Sequence, residues 1–254
     1  CSGVDFSGTT DIYSNDYAFV ALKKDLGTAV CWGQSGYGGD CSGVDFSGTT
    51  DIYSNDYAFV ALKKDLGTAV CWGVSEYGGD CSGVDFSGTT DIISSRQAFV
   101  ALKKDLGTAV CWGQSEYGGD CLGLDFSGTT AIYSNEYASV ALKKDLGTAV
   151  CWGVSEYGGD CSGVDFSGTT DIISSRQAFV ALKKDLGTAV CWGESKYGGD
   201  CSCVDFSGVS GRYIRETSSA LSAMQRAGGD VSRVRFVVAV VLAGSIVVHF
   251  PVMA

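Results

Sequence analysis

The residues whose types could carry chemistry recur on one schedule. The chain holds 12 cysteines, and ten of them stand at C-x9-C spacing: Cys31/Cys41, Cys71/Cys81, Cys111/Cys121, Cys151/Cys161 and Cys191/Cys201. Cys1 and Cys203 are left over. Zinc sites use closely spaced cysteine pairs or nearby histidines. This spacing supplies neither, and His249 is the sole histidine. Disulfides would require each pair to approach within about 7 Å between Cα atoms. Spacing alone favours the simpler expectation that Cys31 is a small buried strand residue and that most thiols are free, as in a reducing cytoplasmic or nuclear setting. The repeated carboxylates Asp5, Asp11, Asp25 and Asp40 could form rings that attract cations. No nucleophile has a base beside it, the repeats contain no histidine, and no phosphate-cradling G-x4-G-K-[ST] loop occurs. Neither catalytic residues nor a cofactor or metal site is therefore expected.

Two aromatic series remain. Trp32, Trp72, Trp112, Trp152 and Trp192 share one position in the repeat, which points to packing rather than to a ligand. Tyr37, Tyr77, Tyr117, Tyr157 and Tyr197 lie in S-x-Y-G-G segments. Glycine-rich loops on a rigid scaffold are where binding residues concentrate. These tyrosines are the candidate partner-binding residues.

The elements that position these residues follow from the repeat itself. CSGVDFSGTTDIYSNDYAFVALKKDLGTAVCWGQSGYGGD fills 1–40 and recurs from 41, 81, 121 and 161, with the start of a sixth copy at 201. Within a unit, TDIYS (10–14), YAFVALK (17–23) and GTAVCWG (27–33) are rich in β-branched and aromatic residues and bounded by turn formers, the signature of strands. VDF (4–6) would make a short fourth strand, and KKDLG (23–27) a hairpin connection. Ala18–Leu22 is apolar on both faces, so a unit this small cannot bury itself and must stack on its neighbours. The expected fold is all-β: a β-propeller-like array of 40-residue, three- to four-stranded repeats over 1–208, followed by a divergent tail over 209–254. A β-solenoid is the rival architecture.

Residues 11–40 resemble the repeat of the regulator of chromosome condensation family. Ala21-Leu22 matches that family's A-L strand, Asp25 and Gly27 its hairpin, Trp32-Gly33 its W-G, and Gly38-Gly39 its closing glycines. Leu26 is an extra residue in the hairpin, and Ala18 and Asn15 stand where the family often has His and Gly. The resemblance implies a propeller that acts through protein partners. It extends to a nucleotide-exchange regulator of a small GTPase, and to the substrate-binding part of a HERC-type ubiquitin ligase whose catalytic domain is absent. The Gly-Trp-Arg-His-Thr run of the family's plant UV-B photoreceptor is absent, as are the Trp-Asp dipeptides of WD repeats.

The net charge is −11, with the acidic excess in 1–200. Such a surface disfavours nucleic acid and suits a basic protein partner. The chain opens on Cys1 rather than Met with the repeat already under way, which reads as a piece of a longer protein. Beyond Gly208 the composition changes. Ile214, Leu221 and Met224 are near helical spacing, and 236–254 carries no charged side chain over 19 residues after Arg226, Arg233 and Arg235. That segment offers a membrane span, a closing strand or a non-native end. The sequence thus points to a non-catalytic interaction scaffold.

Overall fold

The structure, a computed structural model, describes residues 5–207. Each 40-residue unit forms one antiparallel sheet of three strands. In units 1 to 5 these are β1 (Asp11–Ser14), β2 (Ala18–Lys23) and β3 (Thr28–Gly33); β4 (Asp51–Ser54), β5 (Ala58–Lys63) and β6 (Thr68–Gly73); β7 (Asp91–Ser94), β8 (Ala98–Lys103) and β9 (Thr108–Gly113); β10 (Ala131–Ser134), β11 (Ala138–Lys143) and β12 (Thr148–Gly153); and β13 (Asp171–Ser174), β14 (Ala178–Lys183) and β15 (Thr188–Gly193). The middle strand pairs Ser14↔Phe19 on one side and Ala18↔Gly33 on the other. The three strand segments expected from composition are all present.

The proposed fourth strand is not. Residues 44–46 form no ladder. Asp45 instead accepts a hydrogen bond from the Ser47 amide (2.9 Å), and Thr49 N–H bonds the Phe46 carbonyl, so side-chain capping diverts this segment into turns. Phe46 is freed to pack edge-on against Trp72, with ring centroids 5.4 Å apart.

The core lies between units rather than within them. Ala18, Val20 and Leu22 of unit 1 pack on Phe46, Ile52, Phe59, Ala61 and Trp72 of unit 2, and the same set recurs between later units. Alternate residues of the middle strand point to opposite faces, which is why β2 is apolar from Ala18 to Leu22. Each fully buried aromatic or aliphatic side chain here is worth about 1.5–3 kcal/mol relative to exposure. The indole N–H of Trp72 donates to the carbonyl of Gly38 in the preceding unit (3.1 Å), and Trp112, Trp152 and Trp192 repeat the bond. Gly38 is required there: its φ is +96°, and a Cβ would fall 2.5 Å from the Phe59 ring. The first strands also link unit to unit, because Ser54 Oγ donates to the Ser14 carbonyl (2.8 Å) and the series continues to Ser174.

The cysteines overturn the expectation of free thiols. Cys31–Cys41, Cys71–Cys81, Cys111–Cys121, Cys151–Cys161 and Cys191–Cys201 are disulfides, with Cα–Cα distances of 5.7–5.9 Å. After β3 a single 3-10 turn (Ser35–Tyr37) and Gly38 send the chain back along the strand, and this return brings Cys41 beside Cys31. The YGGD turn (37–40) leaves room for that return, but C-x9-C spacing does not require it. Cys203 is free and exposed; Cys1 lies outside the described residues. So do the helix expected near 214–228 and the apolar segment 236–254.

Candidate functional site

Two loops meet at one end of every unit. The β1–β2 turn (15–17) and the segment after β3 (34–39) are joined by the Asn15 amide, which donates to the Tyr37 carbonyl (2.9 Å) while its Oδ1 accepts from the Tyr17 and Ala18 amides. Gln34 N–H adds a bond to the Tyr17 carbonyl (2.9 Å). Asn55 and Asn135 repeat this clamp, and in units 3 and 5 Ser95 and Ser175 reach Tyr117 and Tyr197 carbonyls through Oγ. The β2–β3 hairpin, which carries Lys24 and Asp25, lies at the opposite end.

The clamp sets tyrosine against tyrosine. Tyr37 stacks on Tyr17 (4.6 Å, 27°) and lies 5.7 Å from Tyr57 of the next unit. Tyr77 lies 4.9 Å from Tyr57, Tyr117 5.4 Å from Tyr137, and Tyr157 4.8 Å from Tyr137. Four of the five sequence-derived candidates, Tyr37, Tyr77, Tyr117 and Tyr157, are thus half-buried members of two aromatic groups. Gln97 separates the groups, standing where the other units place Tyr17, Tyr57 or Tyr137. Tyr197 has Gln177 at that position and is 46% exposed.

The neighbouring position carries charges that the single-loop reading missed: Asp16, Asp56, Arg96, Glu136 and Arg176. They lie next to one another from unit to unit. Arg96 Nε donates to Asp56 (3.0 Å), Arg96 Nη2 to Tyr57 Oη (3.2 Å), and Arg176 Nε to Glu136 (2.6 Å). The Arg96 amide bonds the Glu136 carbonyl (2.9 Å). Burial and the adjacent carboxylate of Asp16 push Asp56 up to about 6, against the pull of Arg96. A comparison of the five units at positions 15 to 17 would have exposed this series, since the charge at 16 changes sign between an unvarying Ser14 and Ala18.

Two of the four carboxylate series expected to form rings, those of Asp5 and Asp40, are instead engaged locally. Asp45, Asp85, Asp125 and Asp165 accept from Lys63, Lys103, Lys143 and Lys183 at 2.6–2.7 Å. The lysine side chains are buried, and each meets a carboxylate that is itself largely exposed. Asp40 caps the Ser42 amide (2.9 Å). Among the described residues no cluster of three or more metal-ligating side chains occurs.

No protein-family model matches the chain, and no curated protein matches it. Solved structures do. The ectodomain of the Physcomitrella patens receptor kinase CR4 has a TM-score of 0.50 at 19% identity, covering 73% of this chain and 50% of that one. The CRINKLY WD40 ectodomain of the Arabidopsis thaliana receptor kinase ACR4 follows at 0.48 and 17%, covering 73% and 63%. Prp20p from Saccharomyces cerevisiae, studied with Gsp1p and histones, has a TM-score of 0.46 and 14% identity, covering 73% and 58%. The chain spans half the length of the Physcomitrella ectodomain. At such identities the likeness is one of fold, and that fold is a propeller-like repeat array.

Proposed function

We propose that the array is a non-catalytic protein-binding platform of an oxidising compartment, and that its ligand docks on the tyrosine-lined end of the units. The observation that carries this is the clamp that fixes two loops per unit and brings Tyr17, Tyr37, Tyr57 and Tyr77 into one continuous aromatic surface. Tyrosine supplies large contact area at low entropic cost. The variable charges Asp16 to Arg176 beside it supply selectivity, and Asp16 and Asp56 suit a basic ligand at the first two units. Five disulfides support the compartment, because cytosolic reductants keep thiols reduced.

As to lineage, the units are proposed to be divergent relatives of the regulator of chromosome condensation repeat. The matching residues hold the positions such a blade needs: Ala21 and Leu22 are buried, Trp32-Gly33 ends β3, and the Gly38 carbonyl receives the next indole.

A random peptide library displayed on phage tests the binding reading. The protein should enrich basic and aromatic peptides, and the Tyr57→Ser/Tyr77→Ser/Tyr137→Ser variant should lose them with little change in melting temperature. Enrichment that survives in this variant would place the binding surface elsewhere.

A further inference from the structure

The β1–β2 turns come in two kinds. Units 1, 2 and 4 have an acidic residue followed by tyrosine: Asp16-Tyr17, Asp56-Tyr57 and Glu136-Tyr137. Units 3 and 5 have an arginine followed by glutamine: Arg96-Gln97 and Arg176-Gln177. The first kind brings a carboxylate and a ring, the second a cation without a ring.

The second kind serves the first. Arg96 lays its guanidinium over the Tyr57 ring, 6.0 Å from the centroid, while Nε donates to Asp56 (3.0 Å) and Nη2 to the Tyr57 hydroxyl (3.2 Å). Arg176 Nε donates to Glu136 (2.6 Å). In both cases the arginine comes from the following unit. Three acidic-aromatic pairs thus meet two arginines, and Asp16-Tyr17 is the pair left over. Residue 56, inside the array, decides this: the unit after unit 1 presents Asp56 where the other two pairs meet arginine. Among the described residues no ion pair reaches the Asp16 carboxylate. Burial and the charge of Asp16 push the Asp56 carboxyl up to about 6, so the two carboxylates stand near each other as like charges.

Arg96 also shows which cation such a pair takes. A planar guanidinium reaches carboxylate, phenol oxygen and ring face at once through its fork of donors. An ammonium is a compact point charge and does not cover all three.

We propose that Asp16 and Tyr17 form the open copy of a guanidinium site whose other two copies the chain fills with its own Arg96 and Arg176, so that the ligand enters the tyrosine-lined end with an arginine side chain. This rests on the reading of that end as the docking surface, and adds the residue that the ligand must present. Arg96 and Arg176 also set how many ligand arginines the array accepts, because each withholds one site.

Titration with N-acetyl-arginine amide to about 50 mM, followed by backbone amide NMR shifts, is the test. The unaltered protein should show one site, with shifts at 16–18. N-acetyl-lysine amide should bind there about fivefold more weakly. Asp16→Asn should lose the site. Arg96→Gln should add a second one, with shifts at 56–58, and Arg176→Gln should add one at 136–138. Both arginine side chains are part-exposed, so both variants should fold, and either one alone suffices. Equal binding of the lysine and arginine probes would overturn the proposal. So would a site that persists in Asp16→Asn, or the lack of any added site in both arginine variants. Library peptides separate these outcomes from failure of the docking reading. If docking holds and the arginine assignment fails, enriched peptides still need the tyrosines but bind equally well with their arginines replaced by lysine. If docking itself fails, the peptides ignore the Tyr57→Ser/Tyr77→Ser/Tyr137→Ser variant, and the proposal falls with it.

Discussion

At the residue scale, one position in the repeat takes two chemistries. Phe59, Phe99 and Phe179 fill the seat beside the Trp, but unit 4 has Ser139 there, fully buried and with no described hydrogen-bond partner for its Oγ. A buried unpaired hydroxyl costs about 1–3 kcal/mol, and the missing ring forfeits apolar burial. Ser139→Phe is expected to stabilise the protein by roughly 2–4 kcal/mol, a rise of several degrees in Tm by calorimetry. The two ends of the array make a second comparison. Trp112→Ala should cost about 3–5 kcal/mol, while Trp32→Ala, at the open face, should cost clearly less; equal losses in urea titrations would contradict the inter-unit core. Carboxylates supply opposite pH dependences. Asp56 binds its proton more tightly folded than unfolded, so its contribution is favourable below about pH 4 and is lost as pH rises through about 6. Asp56→Asn should remove that component from the stability profile. Asp45 is held below the usual carboxylate range chiefly by the hydrogen bond from Lys63, so its contribution is present above about pH 4 and lost as acid protonates it.

At the scale of elements, the strands were legible because each is a short run rich in β-branched and aromatic residues between turn formers, and tertiary packing agrees with that local preference. Two features were not legible, for different reasons. Residues 44–46 have strand composition, yet the Asp45 side chain offers the backbone a competing bond and the segment turns. The cysteine pairs are joined by a return of the chain after Tyr37 that depends on a positive-φ glycine, and C-x9-C spacing does not encode it. Their role can be measured. The Cys111→Ala/Cys121→Ala variant is expected to lose about 2–3 kcal/mol, as for other short disulfide loops. Thiol titration of the denatured, unreduced protein should leave the ten paired cysteines unreactive; ten reactive thiols would return the protein to a reducing setting. The candidate site was half legible. Tyr37, Tyr77, Tyr117 and Tyr157 do lie on a loop face, but their partners Tyr17, Tyr57 and Tyr137 come from a second loop that only the Asn clamp brings alongside.

At the scale of the molecule, five units that cannot bury their own faces share four interfaces, and the same repetition aligns five loop pairs at one end. The repeat thus builds the scaffold and the proposed binding surface together, with the varied charges at 16, 56, 96, 136 and 176 distinguishing one unit from the next. Which end carries the ligand is the central claim, and hydrogen–deuterium exchange with a peptide enriched from the library addresses it directly. Bound peptide should slow exchange at 55–58, 74–79, 114–119 and 135–138, and leave the β2–β3-type hairpins at 63–67 and 103–107 unchanged. Protection confined to those hairpins, at the far end of the units, would contradict the account.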